Sequence, residues 1–168
     1  MSLSCSLLLK SAYVCVGLLI FTSPICAQEN GTRRIRVLHI TEPIKIDGKL
    51  DEPGWSQAEV ATDFRQQEPN EGEPASEKTE VRLLFDEKNR YVGVHAFDSE
   101  PSRINSRELV RDATFSNDDK LEILLDTYHD RRNAYRFAVN PLGTQQDALI
   151  TDEGRDINLS WDTVFKSS

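Results

Sequence analysis

Cleavage of a glycosidic bond needs two carboxyl groups held about 5–10 Å apart across a cleft. The sequence has 28 acidic residues, so pairs at that distance arise by number alone, and no motif singles one out. No serine sits in a G-x-S-x-G elbow, and the three cysteines, Cys5, Cys15 and Cys26, crowd the N-terminus. His39 and His95 fall in predicted strands and His129 in a charged turn, without the mutual spacing of a ligand set. Asp118, Asp119 and Asp126, with Asn117, offer the hard oxygens that suit Ca2+, in a pattern that matches no calcium loop. These residues identify no catalytic set and leave binding as the chemistry to consider. A sugar presents an apolar face edged by hydroxyls, so it is held by an exposed aromatic ring with planar hydrogen-bonding groups around it. Trp161 and Tyr128 are the candidate platforms and Arg136 the candidate rim donor. Trp161 reads equally as a core residue of a strand, and Tyr128 as a half-exposed turn residue.

Those side chains need a scaffold, and alternation with period two dominates the chain. Residues 79–86 (TEVRLLFD) place Val81, Leu83 and Phe85 on one face, with Glu80, Arg82 and Asp86 on the other. A polar turn follows, and residues 91–98 (YVGVHAFD) return as the second arm of a hairpin. Leu121, Ile123 and Leu125 alternate in the next strand, and Tyr135, Phe137 and Val139 line one side of the one after it. Pro141-Leu142-Gly143 ends that strand, and residues 145–151 form a weaker one. Further strands are predicted at 35–40, 44–46, 61–66 and 161–166, with short helical turns at 53–58 and 102–108. Short strands separated by turn signals predict an all-β fold, an antiparallel β-sandwich of jelly-roll or immunoglobulin-like type. A half-made strand at 161–166, in a sequence that stops at Ser168, leaves an edge uncovered. The sandwich is therefore expected to be C-terminally truncated.

The run IDGKLDEPGWSQA, residues 46–58, is the corner of this scaffold. Asp47-Gly48 makes a tight turn in which glycine supplies a positive φ. Asp51 is expected to cap the helical turn that Pro53 opens, and Trp55 then swings back to bury its indole against the sheet. The segment IDGKLDEPGW, with Asp47, Gly48, Asp51 and Trp55, resembles the opening signature of family 9 carbohydrate-binding module-like domains, the DOMON-like β-sandwiches. TEVRLLFDEKNRYVGVHAFD and NDDKLEILLDTYHD are similar to later pieces of the same domains, so the likeness runs from about Ile40 to Phe165. The resemblance implies a β-sandwich that binds glycans without catalysis, often fused to larger enzymes through which hydrolase and carbohydrate-catabolic labels attach. It is similar in particular to the version at the N-terminus of large bacterial proteins with a predicted outer-membrane barrel. Members that hold sugar clamp a chain end between two tryptophans. This chain has only Trp55, assigned to the core, and Trp161. That departure keeps a second reading open: a structural or docking module of a barrel protein, without sugar affinity.

Residues 1–27 form no part of the predicted fold. Lys10 is the single cation before the apolar run AYVCVGLLIF, and the segment ends in TSPICA. This is the layout of a secretory signal peptide, with an apolar run well short of the ~20 residues that span a bilayer. Ile25 before Cys26 argues against lipidation. Export follows, to the periplasm, the outer-membrane surface or the exterior, and residues 28–168 form one cysteine-free domain. The net charge of −8 gives no electrostatic footprint for nucleic acid or anionic lipid, and points to a neutral or cationic partner.

Overall fold

Alternating apolar residues pair here into two sheets, in a computed structural model that describes residues 33–168. The predicted signal peptide lies outside the described residues. The elements, all within the unit Arg34–Ser168, run β1 (Leu38–His39), α1 (Pro53–Gln57), β2 (Val60–Ala61), β3 (Thr79–Phe85), β4 (Arg90–Ala96), β5 (Leu121–Leu125), β6 (Ala134–Val139), β7 (Gln145–Thr151) and β8 (Asp156–Asn158). Single 3-10 turns stand at Pro101–Arg103 and Asp152–Gly154. The fold is all-β, as expected.

In the first sheet β4 pairs antiparallel with the whole length of β3, from Thr79↔Ala96 to Phe85↔Arg90. β1 and β2 therefore share the other edge of β3: β2 antiparallel at Val81 and Arg82, β1 parallel at Leu84 and Phe85. The parallel pair is the one exception to the antiparallel expectation among the described residues. The second sheet is an antiparallel meander, β5-β6-β7-β8.

The corner builds the core. Gly48 takes φ +78° in the turn, and Pro53 stands at the first helical position of α1. The expected cap moves by one residue. Glu52, not Asp51, is the N-cap, and its carboxylate caps no helix amide. Glu52 instead accepts from the Trp55 indole Nε1 (3.0 Å) and from the Lys45 amide (2.9 Å). This also explains why the expected strand at 44–46 does not form, since the Lys45 amide is spent on a side chain.

Trp55, 4% exposed, packs with Ile40, Ala58 and the fully buried Leu84. Leu84 shares its face with Glu80 and Arg82, the face expected to be polar. The reason is that α1 and the corner lie on that side of the sheet. Gly93 lies beneath the indole, where an added Cβ would come within 2.6 Å of Trp55 Cζ3. The ring thus occupies the volume that any larger residue at 93 would need.

Three further expectations change. The strand expected at 35–40 shrinks to Leu38–His39, extended by the Ile40 amide donating to Phe85 O (2.9 Å). The strand expected at 61–66 is broken where Asp63 takes φ 62°, leaving β2 and an isolated bridge between Arg65 and Pro74. Residues 161–166 form no strand. They run as an irregular segment over the second sheet, with Trp161 against Tyr135 (centroids 5.0 Å apart) and Phe165 edge-on to Phe137 (5.3 Å).

Candidate functional site

A strand sends alternate side chains to opposite faces, and the register of the second sheet fixes which residues share each face. Leu121↔Val139, Ile123↔Phe137 and Leu125↔Tyr135 stand together on the face that Trp161 and Phe165 cover. Glu122↔Ala138 and Leu124↔Arg136 stand on the other. Trp161 and Arg136 are therefore on opposite faces of one sheet, and cannot grip the same ligand.

Arg136 pairs through Nε with Glu122 Oε1, whose second oxygen lies 3.3 Å from Lys120 Nζ. The Arg136 side chain is 13% exposed. A guanidinium carries five N–H donors in a fixed fork, and among the described residues no hydrogen bond engages Nη1 or Nη2 of Arg136. Leu124, beside it on the same face, is 59% exposed. The β5–β6 turn beyond is braced by acids. Asp126 accepts from the amides of Asp130 and Arg131, and Asp130 from those of Arg132 and Asn133. Tyr128 projects from that turn, 73% exposed. The result is a face with a fixed carboxylate, a fork with unspent donors, an apolar side chain and a free phenol ring at one end.

The candidate calcium residues are each occupied separately. Asp118 accepts from the amides of Arg107 and Glu108 (both 3.0 Å) and from Asn140 Nδ2 (2.9 Å). Asp119 accepts from the Asn105 amide (2.8 Å), and Asp126 belongs to the turn described above. Among the described residues no three His, Asp or Glu side chains converge as a metal site would require. Asp118, Asp119 and Asp126 do not fit a shared Ca2+.

The Glu108 amide, with Asn140 and the Arg107 amide, holds the Asp118 carboxyl below its usual range. The amide of Arg132 does the same for Asp130, and that of Lys45 for Glu52. A carboxyl lowered on folding stabilises the fold fully above its unfolded pKa. That contribution is lost as pH falls below the unfolded value and on through the folded one. The melting temperature is expected to be level above about pH 5 and to fall progressively below about pH 4. Asp118→Asn should lower it at pH 7 and make the acid decline shallower, measured by thermal scans from neutral to acid pH.

A second polar group, marked by no motif, is built on the β6–β7 turn and the start of β7. Asn140, Thr144, Gln146 and Asp147 are all buried. Asn140 Nδ2 and Thr144 Oγ1 donate to Glu108 O (2.8 and 2.7 Å), and Gln146 Nε2 donates to Ala113 O. On the other face Asp147 accepts from Arg111 Nη2 (2.8 Å) and from the Thr163 amide (2.7 Å). Arg111 also donates to Gln145 Oε1, Asp162 Oδ1 and Thr163 O. These side chains tie two irregular segments, residues 108–113 and 162–163, to the second sheet. The available signal was the polar run Gln145-Gln146-Asp147 inside a strand, since buried polar groups must find partners.

A family model described as carbohydrate family 9 binding domain-like matches residues 46–153. The chain belongs to this family. The match opens on the corner with Asp47, Gly48, Asp51 and Trp55, and takes in β2 to β7, Tyr128 and the Glu122–Arg136 face, while β1, β8 and Trp161 lie beyond it. As a carbohydrate family 9 binding domain-like chain, it carries a carbohydrate-binding module at the level of the family, and a carbohydrate is the partner class this implies. No curated protein and no solved structure matches the chain.

Proposed function

We propose that this chain is an exported, non-catalytic glycan-binding module whose sugar site is the Glu122–Arg136 face of the second sheet. One observation carries the reading: Arg136 is held by Glu122 with both terminal nitrogens unspent, beside the exposed Leu124. Adjacent hydroxyls of a pyranose would accept from Nη1 and Nη2, Glu122 would accept a third hydroxyl, and Leu124 would take the apolar face of the ring. Tyr128, at the end of the same hairpin, supplies an aromatic contact for a longer chain. Polar contacts of both signs on one face suit a neutral glycan. The signal-like N-terminus supports export to the periplasm, the outer-membrane surface or the exterior. The family supports a place in polysaccharide recognition or catabolism, beside a fused enzyme or an outer-membrane barrel.

Calorimetric titration of the purified chain with soluble xylose and glucose oligosaccharides tests this. Arg136→Ala is expected to weaken binding about tenfold or more, the loss of charge-assisted hydrogen bonds. Tyr128→Ala should cost about three- to tenfold. Trp161→Ala should leave affinity unchanged. Binding that survives Arg136→Ala and disappears in Trp161→Ala would move the site to the other face. A folded chain that takes up no sugar would favour the docking module.

A further inference from the structure

The two sheets present free edges to the same cleft. β4 is paired only with β3, and β5 only with β6. Between them opens a cavity of about 460 Å3, walled by Leu50, Val92, Val94, Ile123, Phe137 and Phe165. The Phe97 amide donates to Lys78 O (2.9 Å), which fixes the phase of the β3–β4 ladder. In an antiparallel pair, bonded and outward-facing positions alternate, so residues 91, 93 and 95 spend their backbone groups on β3. Val92 and Val94 turn theirs outward, into the cleft. The rim is charged against the trend of the molecule. Lys45 is taken by Asp47 (2.6 Å) and Arg90 donates to the carbonyls of Asp86 and Asn89, which leaves Lys49 and Lys166 as lining cations with no ion pair among the described residues, in a chain of net charge −8.

We infer that this cleft is a docking site for an extended segment of a partner protein, which adds a strand to the outer edge of β4. Such a segment would be apolar at alternate positions and acidic at its flanks. Outward N–H and C=O groups on Val92 and Val94 call for a polypeptide backbone, because a ladder of evenly spaced donors and acceptors is what another strand supplies. Apolar walls select a side chain at every second position. Excess cations at the mouth select carboxylates on the incoming strand. The site is separate from the proposed sugar face, because Ile123 and Phe137 point away from Glu122 and Arg136.

The probe is a fluorescein-labelled peptide, Glu-Val-Thr-Val-Thr-Val-Glu, titrated into the purified full chain and followed by anisotropy. Saturable binding is expected, weakening as salt rises. A second peptide carries N-methyl groups on alternate residues. The methyl groups sit on the residues whose N–H groups would face β4, so the peptide keeps every side chain and loses the donors of that edge, and is expected to bind about tenfold or more weakly. A version with lysine for both glutamates should also bind more weakly at low salt. No saturable binding, or equal binding of the methylated and unmethylated peptides, would overturn the proposal. So would light scattering that shows a dimer dissociated by the peptide, because the edge would then serve a second copy of the chain.

Discussion

Trp55→Ala is expected to cost about 3–5 kcal/mol of folding free energy, the usual range for emptying a buried aromatic site. The indole fills the space between α1, Leu84 and the flat surface of Gly93. Its Nε1 donates to Glu52, so the substitution removes packing and a hydrogen bond together. Few buried hydrophobic residues surround it, which leaves little to collapse into the gap. A domain of this size is stable by roughly 5–15 kcal/mol, so the variant should lie near its unfolding threshold. Urea denaturation followed by circular dichroism measures this, with a loss of about 2 M in midpoint expected from a typical slope. A loss under about 1 kcal/mol would show that the corner is not the core. Gly93 supplies the cross-check. Gly93→Ala should destabilise the native chain by about 1–3 kcal/mol through overpacking. In the Trp55→Ala background it should cost clearly less, since the indole it strikes is gone and only the flexible end of Leu50 (3.0 Å) remains in its way. A pair of costs that simply add would show that the two residues do not meet.

Asp147→Ala is the second large effect, and it should be local before it is global. The carboxylate is fully buried, with Arg111 on one oxygen and the Thr163 amide on the other. Removing one partner of a buried pair costs about 3–5 kcal/mol. Here Arg111 is partly exposed and retains Asp162 at 3.1 Å, so about 2–3 kcal/mol is expected. The segment from Trp161 to Ser168 should then release from the second sheet. Tryptophan emission reports it, because Trp161 loses its contact with Tyr135 while Trp55 stays buried. A red-shifted component and faster proteolysis after residue 160 are the expected results. Arg111→Lys should give a milder version, since an ammonium cannot reproduce a planar fork that reaches several partners at once. A variant with unshifted emission would show that ring packing alone holds the segment.

The sequence by itself determined the long strands, because a half-buried strand must alternate. Residues 79–85, 121–125, 134–139 and 145–151 stand where period two put them. It also determined the corner, since Asp47-Gly48, Pro53 and Trp55 each have a local reason for their place, and that corner carries the family. Tertiary structure decided what depends on a distant partner. Glu52 replaced Asp51 at the head of α1 because its carboxylate reaches both the indole and the Lys45 amide. Leu84 became the most buried leucine because α1 came to lie on the face that alternation marked as polar. Residues 161–166 carry a strand-like pattern, yet Arg111 and Asp147 lay them across a sheet face with no ladder. The candidate site divided for the same kind of reason. Sequence offered Trp161, Tyr128 and Arg136 as one set, and the strand register put Trp161 on the opposite face of the sheet from Arg136. Alternation assigns residues to faces within a strand, but only the packing of distant segments decides which residues of a face are covered, as Ala138 and Ala148 are, and which stay exposed, as Leu124 does.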